Sequence, residues 1–433
     1  MNGLPEEGTG LRNRWHRLIR STTVWTSTTG LVVYGLAAVT GPLLARSLGP
    51  TGRGDLAAVL VPSEMLSWLL TFGLPAAAVY YADRYSIRQM MTAAWLFAVV
   101  AGGTVTLAVW FYVPSYLHEH DPTTVPWLRI MLLVSVLFVP AMTAIQLLRL
   151  RTDLIAFNFF RSLQLVLETL VIVVLAAIGR LDLTGALWAA LGSSVVAYVA
   201  VLAYARGWPE LPLKRRALRD MVHYGGRLSV GNMANLLINR LDQLVMVGLV
   251  APAQLGIYAI AATAAGLSSA AADGIGFVVF ARMREARDPK QAWSVLLVGL
   301  RWTLLASCGI GLVIGLSAFA VIPWLFGSPF RSAVVPLLIL LPGQVVANVG
   351  SVVSQKLLVD DRPGAVSHGL VAAAVVAIVG LYALVDRFGI NGAAIATTAS
   401  QTVFAAYVTM VAVQNRSRRS GGAPTTPVPT IGG

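Results

Sequence analysis

Apolar runs of twenty or more residues recur from one end of this sequence to the other. Within lipid, every backbone N–H and C=O must find its partner inside the chain, so only bundled helices or a closed barrel can span it. A transmembrane barrel is written in alternating segments of about ten residues, and runs such as 292–325 show no such alternation. The expected class is therefore all-α. Of the 433 residues 57% are hydrophobic and 12% charged, about half the charge usage of a soluble domain. At about 20 apolar residues per span, the chain reads as a polytopic membrane protein of about twelve transmembrane helices. Spans are expected near 22–46, 55–82, 88–113, 125–149, 154–179, 184–205, 225–250, 254–281, 292–325, 333–357, 365–386 and 391–414.

The formal net charge of +13 invites a nucleic-acid partner, and its distribution argues against one. With even loops and both termini on one side, that side carries 22 Lys and Arg against 5 on the other (Arg46, Arg53, Arg180, Arg331 and Arg387). Such a bias marks the cytoplasmic face and accounts for the charge without nucleic acid. Both termini are then cytoplasmic. The first apolar run is too long for a signal-peptide core and is expected to stay as the first span. Before it, Leu11, Trp15, Leu18 and Ile19 share a helical face among arginines. Residues 1–21 thus read as a basic cytoplasmic segment, either lying on the membrane surface or serving as a simple anchor. Cys308 is the only cysteine, which leaves no disulfide framework or thiolate metal site.

Near the middle, residues 206–224 form a basic linker. An offset of about 202 residues sets Gly49-Pro50-Thr51-Gly52-Arg53-Gly54-Asp55-Leu56-Ala57 against Ala251-Pro252-Ala253-Gln254-Leu255-Gly256-Ile257-Tyr258-Ala259, with the Pro-to-Gly spacing kept. An offset near 207 sets Gly185-Ala186-Leu187-Trp188-Ala189 against Gly392-Ala393-Ala394-Ile395-Ala396. The expectation is two six-helix bundles, 22–205 and 225–414, followed by a cytoplasmic tail at 415–433. Six is even, so both bundles enter from the same side. Parallel repeats of this kind enclose a central cavity and permit alternating access.

Ionisable side chains inside spans are costly and point to function. Asn232, Asn235, Asn239 and Asp242 fall within about 80° of arc on the seventh span, with Arg240 at the edge of the stripe. In the fifth span Arg161, Gln164 and Glu168 share a face; Arg161 and Glu168 are about 10 Å apart along the axis and could bridge through Gln164 or face the lumen separately. Glu64, Glu168 and Asp273 are candidate proton or cation sites, or neutral hydrogen-bond donors. Arg240 and Asp242 could equally be structural partners of neighbouring helices. Gly41 and Pro42 interrupt the first span and are candidate hinge residues. Gly49 to Gly54 is not followed by Lys-Ser/Thr and joins no strand to a helix, so it is no phosphate loop for ATP. His118-Glu119-His120-Asp121 reads as a solvated loop, since four neighbours cannot converge on one metal ion. No loop on that face could hold a periplasmic catalytic domain, and an enzyme is not expected.

Leu43 to Gly54 after the first span, together with Asn239-Arg240-Leu241-Asp242-Gln243 and Leu255-Gly256-Ile257-Tyr258-Ala259, resembles the polysaccharide-biosynthesis flippases. These are the Wzx-like branch of the superfamily that also holds the multidrug and toxin extrusion transporters. The resemblance covers roughly residues 20 to 415. It implies export of a polyprenyl-diphosphate-linked oligosaccharide across a bacterial cytoplasmic (inner) membrane, with no cofactor. A polysaccharide polymerase and glycosyltransferases would be its working partners. Arginine forks suit diphosphate oxygens; Arg161 and Arg240 are the cavity candidates, while Arg46 and Arg53 could meet the headgroup at the outer mouth. Relatives that flip the peptidoglycan precursor usually carry two additional spans, so that substrate is not expected. A cation-coupled multidrug or metabolite antiporter is the alternative, and a non-transporting scaffold for glycan synthesis a weaker one.

Overall fold

Capping side chains start several helices where the apolar runs begin. Asp153 accepts a hydrogen bond from Ala156 N (3.1 Å) and Asp182 from Gly185 N (2.7 Å), each satisfying a backbone donor left open in a first turn. Ser86 and Gln89 form a reciprocal capping box. In this computed structural model the backbone is described for residues 8–150, 153–209, 215–286 and 288–421, and side chains for 35–36, 39–150, 153–209, 215–226, 229, 240–286 and 288–416.

The described residues are helical throughout, with no strand. In order they form α1 (Gly8–Thr71), α2 (Leu74–Tyr80), α3 (Ile87–Phe97), α4 (Gly103–Tyr116), α5 (Thr124–Leu150), α6 (Leu154–Ala177), α7 (Leu183–Ala205), α8 (Arg215–Met246), α9 (Pro252–Gly266), α10 (Ser269–Glu285), α11 (Pro289–Phe326), α12 (Val334–Val359) and α13 (Pro363–Gly421). A π-helical turn, Ala98–Gly102, joins α3 to α4 without breaking the span.

Among the described residues nine segments are long and apolar enough to cross a membrane. Two of them bend at a glycine with positive φ, Gly49 (φ 67°) in α1 and Gly389 (φ 55°) in α13, so the nine segments hold ten of the expected spans and the end of the first. An L side chain rarely adopts this conformation, and glycine adopts it freely. The seventh expected span lies in α8, whose side chains at 227–228 and 230–239 are outside the described residues. So are the side chains of the basic segment 1–21 and most of the tail. α8 begins at Arg215, within the basic linker 206–224. Ala217 and Met221, one helical turn apart, are buried and give the helix an apolar stripe.

By packing, the chain divides into two compact units. The first comprises Met1–Leu236, Gln243–Ile260 and Phe319–Ala333; the second comprises Leu237–Asp242, Ala261–Ala318 and Val334–Gly433. The first has a core of Leu74, Met90, Met91, Ala141, Leu148, Phe157, Val201 and Met221. At one end of it, Tyr85 Oη donates to Asp220 Oδ2 at 2.6 Å, and Arg84 pairs with the same carboxylate at 3.4 Å.

The second unit combines a small apolar core around Val279, Leu296 and Val352 with a buried polar network. Gln344 Nε2 donates to Ser269 Oγ (2.7 Å), Asn348 Nδ2 to Ser307 Oγ (3.0 Å), and Gln401 Nε2 to Gln344 Oε1 (3.4 Å). The network ties α10, α11, α12 and α13. One interhelical hydrogen bond in a membrane protein averages about 0.6 kcal/mol, but removing Asn348 strands several buried groups at about 1–3 kcal/mol. Asn348→Ala is therefore expected to lower the melting temperature of the purified protein by several degrees. An unchanged melting curve would remove the network from the stability of this unit.

Candidate functional site

The glycine-rich motif and its second copy meet each other within the first unit. Gly49 turns the chain at the bend of α1, so that Pro50 opens the second limb of the helix. Pro252 opens α9 in the same way; proline suits a first helical position because its missing N–H would be unsatisfied there anyway. A Cβ placed on Gly54 would overlap the Pro252 carbonyl oxygen. One placed on Gly256 would overlap the Pro50 carbonyl oxygen and fall 2.8 Å from Gly54 N. Each glycine, one helical turn beyond its own proline, thus admits the backbone of the other copy at that copy's proline. Self-complementary contact of this form is what a two-fold relation between the copies produces.

Further bonds surround the contact. Arg46 Nε donates to Leu325 O at 3.0 Å and its Nη2 to Trp324 O, and Tyr116 Oη donates to Leu244 O at 2.6 Å. His120 has Nδ1 2.8 Å from Asp55 Oδ1 and Nε2 3.1 Å from Val247 O. Both side chains are buried, with His120 5% and Asp55 4% exposed. This corrects the expectation of a wholly solvated loop at 118–121. His118 and Glu119 do pair at the surface, 3.4 Å apart, and the Thr123 N–H donated to Asp121 holds that carboxyl below its usual range. His120 turns inward because an acceptor faces each of its ring nitrogens. The connecting segments gathered here, near 46–54, 116–123, 247–252 and 324–327, are all ones that the charge bias assigns to a single face.

A second group lies along α6. Arg161 is exposed and Glu168 half-buried, with Arg53 and Glu64 close enough to Glu168 to act on it electrostatically. Glu64 is exposed and Arg53 half-buried. Gln164 does not bridge Arg161 to Glu168. It donates to Ser194 Oγ at 3.0 Å and accepts from Tyr198 Oη at 3.2 Å, which commits it to the α6–α7 packing.

In the second unit Arg240 is half-buried. Asp242, 6% exposed, accepts from Thr397 Oγ1 at 3.3 Å, and Asp273 is exposed on α10. Asn235 and Asn239 fall outside the residues whose side chains are described, as does Asn232. Gly41 and Pro42 lie within α1 with helical dihedrals; the non-helical residue of that helix is Gly49, seven residues beyond Pro42.

A family model described as polysaccharide biosynthesis protein matches residues 19–283. The chain belongs to the polysaccharide biosynthesis protein family. Among curated proteins none matches by sequence. Solved structures agree on the fold of this family member. One is a multidrug resistance MATE family transporter of the MOP superfamily in an inward-facing conformation, with TM-score 0.76, 15% identity, and coverage of 90% of this chain and 96% of that one. Another is the lipid II flippase MurJ in an inward closed conformation, with TM-score 0.76, 10% identity, and coverage of 90% and 87%. A MOP superfamily transporter from Pyrococcus furiosus aligns with TM-score 0.56, 15% identity, and coverage of 93% and 96%. The resemblance read from the motifs and the all-α, multi-pass architecture both agree with these findings. The buried His120–Asp55 pair was missed in the sequence. Its one signal was Asp55 itself, a carboxylate directly behind Gly54 at the start of an apolar helix.

Proposed function

We propose that the protein is a flippase that carries a polyprenyl-diphosphate-linked oligosaccharide from the cytoplasmic to the outer leaflet by alternating access. The match to the polysaccharide biosynthesis family over more than half of the chain carries this reading. The chemistry of α6 suits it, because exposed Arg161 offers a forked donor to diphosphate oxygens. Movement of the headgroup calls for no bond to be made or broken, so the protein is not an enzyme. Its seat is the bacterial inner membrane, with both termini cytoplasmic, two six-helix halves, and glycosyltransferases and a polymerase supplying and consuming its cargo.

Glu64 and Glu168 beside Arg53 favour a second reading, a cation-coupled antiporter for drugs or metabolites, because carboxylates suit cationic cargo. Gene deletion separates the two. The flippase reading expects loss of surface polysaccharide and build-up of lipid-linked oligosaccharide on the cytoplasmic leaflet. Intact glycan together with heightened sensitivity to cationic dyes would establish the antiporter instead.

A further inference from the structure

The contact between His120, Asp55 and Val247 requires a proton that its surroundings do not otherwise provide. A carbonyl oxygen only accepts, so at 3.1 Å from Val247 O the Nε2 of His120 must carry hydrogen. At 2.8 Å from Asp55 Oδ1, Nδ1 must either donate to a carboxylate or accept from a protonated carboxyl. Imidazolium beside carboxylate, or neutral imidazole beside carboxylic acid, satisfies both bonds. Neutral imidazole beside carboxylate satisfies one and sets two acceptors against each other at the other. The closed arrangement therefore holds one proton more than its separated parts need.

The bonds it completes join three segments of the chain: α1 just after Gly54, the turn between α4 and α5, and the turn after α8. These are the segments around the reciprocal Gly–Pro contact. Residues 243–256, which supply the Val247 carbonyl, contain no ionisable side chain. On the α4–α5 turn His118 and Glu119 pair with each other at the surface and Asp121 is bound to Thr123. Tyr116 donates to Leu244 O. From α5, Arg129 turns to the Trp110 carbonyl and ring; from α1, Arg53 acts on Glu168.

We infer that His120, Asp55 and the Val247 carbonyl form a proton-binding latch that holds the two motif copies together on the outer face. The latch deepens the transporter reading and rests on it. Parting the copies breaks the Asp55–His120–Val247 chain, and the proton leaves for water from Nδ1 or from the carboxyl; no other bond changes. By linkage, the state that binds the additional proton gains population as pH falls. Acid on the outer side therefore favours the closed latch and alkali the open one.

Spin-label distances on the full-length protein in lipid nanodiscs test this. With Cys308→Ser to remove the native thiol, nitroxides at Thr51→Cys and Gln254→Cys, both exposed and flanking the Gly–Pro contact, report the separation of the two copies between pH 5 and pH 9. The expected result is one short distance in acid and a longer population growing as pH rises. One proton limits the change in the closed-to-open ratio to about tenfold per pH unit. Asp55→Asn keeps the shape and lets the amide N–H donate to Nδ1 with no proton to lose, so it should stay closed at every pH. His120→Gln should likewise lose the pH response. A wild-type distribution indifferent to pH, or a response surviving unchanged in Asp55→Asn and His120→Gln, overturns the latch. Because no cargo enters the measurement, failure of the flippase reading shows separately, as intact surface glycan in the deletion strain.

Discussion

In a glycan flippase, Gly54→Ala and Gly256→Ala should each reduce export at least about fivefold while the protein still inserts, whereas Gly192→Ala should leave export as it is. The contrast follows from what one methyl group meets. At Gly192 a Cβ finds open space. At Gly54 and Gly256 it would overlap a backbone carbonyl on the other copy of the motif, and a backbone cannot rotate aside as a side chain can. Overpacking in a well-packed interior costs about 1–3 kcal/mol even where neighbours adjust. A bias of that size changes a two-state equilibrium roughly 5- to 150-fold. The bias acts against the closed contact, so a transporter that must pass through closure stalls in the open form. The two substitutions enter one contact and should not add: once the first has parted the copies, the second meets little. Export measured in a deletion strain carrying each variant, with membrane insertion followed alongside, checks this. Normal export by Gly54→Ala would show that this closure is dispensable to transport.

The glycine pair also shows how far the sequence could be read. Span positions rest on hydropathy, a property of composition over about twenty residues, and bends at Gly49 and Gly389 fell between expected spans because only glycine tolerates the backbone there. The 202-residue offset aligned Pro50 with Pro252 and Gly54 with Gly256, and the structure brings those four residues into reciprocal contact. His120 shows where such reading stops. A histidine in a charged tetrapeptide is sequentially indistinguishable from its solvated neighbours. What buries it is Asp55, sixty-five residues away, and a carbonyl 127 residues away, and a carbonyl has no side-chain signature at all. Gln164 makes the same point from the other side. Its spacing on α6 suggested a bridge between Arg161 and Glu168, while Ser194 and Tyr198 on α7, invisible to a single-helix projection, hold it.

Arg161→Ala should lower the export of a diphosphate-linked glycan about 10- to 150-fold, the loss expected when a charged hydrogen-bonded contact worth about 1.5–3 kcal/mol is removed. Arg161 is exposed, so its removal should leave stability within about 0.5 kcal/mol and the defect can be assigned to binding. Arg161→Lys keeps the charge but loses the planar fork; partial export by that variant points to charge alone, and failure equal to alanine points to bidentate contact. Arg240 is half-buried, and Arg240→Ala has two outcomes that differ in meaning. Lost export with an unchanged melting temperature marks a headgroup contact, while lost export with a lower melting temperature marks structural pairing. Glu168→Gln supplies the crossed comparison. In a flippase whose cargo is anionic, the arginine variants fail and Glu168→Gln retains binding, whereas in an antiporter for cations Glu168→Gln abolishes efflux and Arg161→Ala spares it. Both charges stand on one face of α6, so which substitution silences transport states the sign of the cargo.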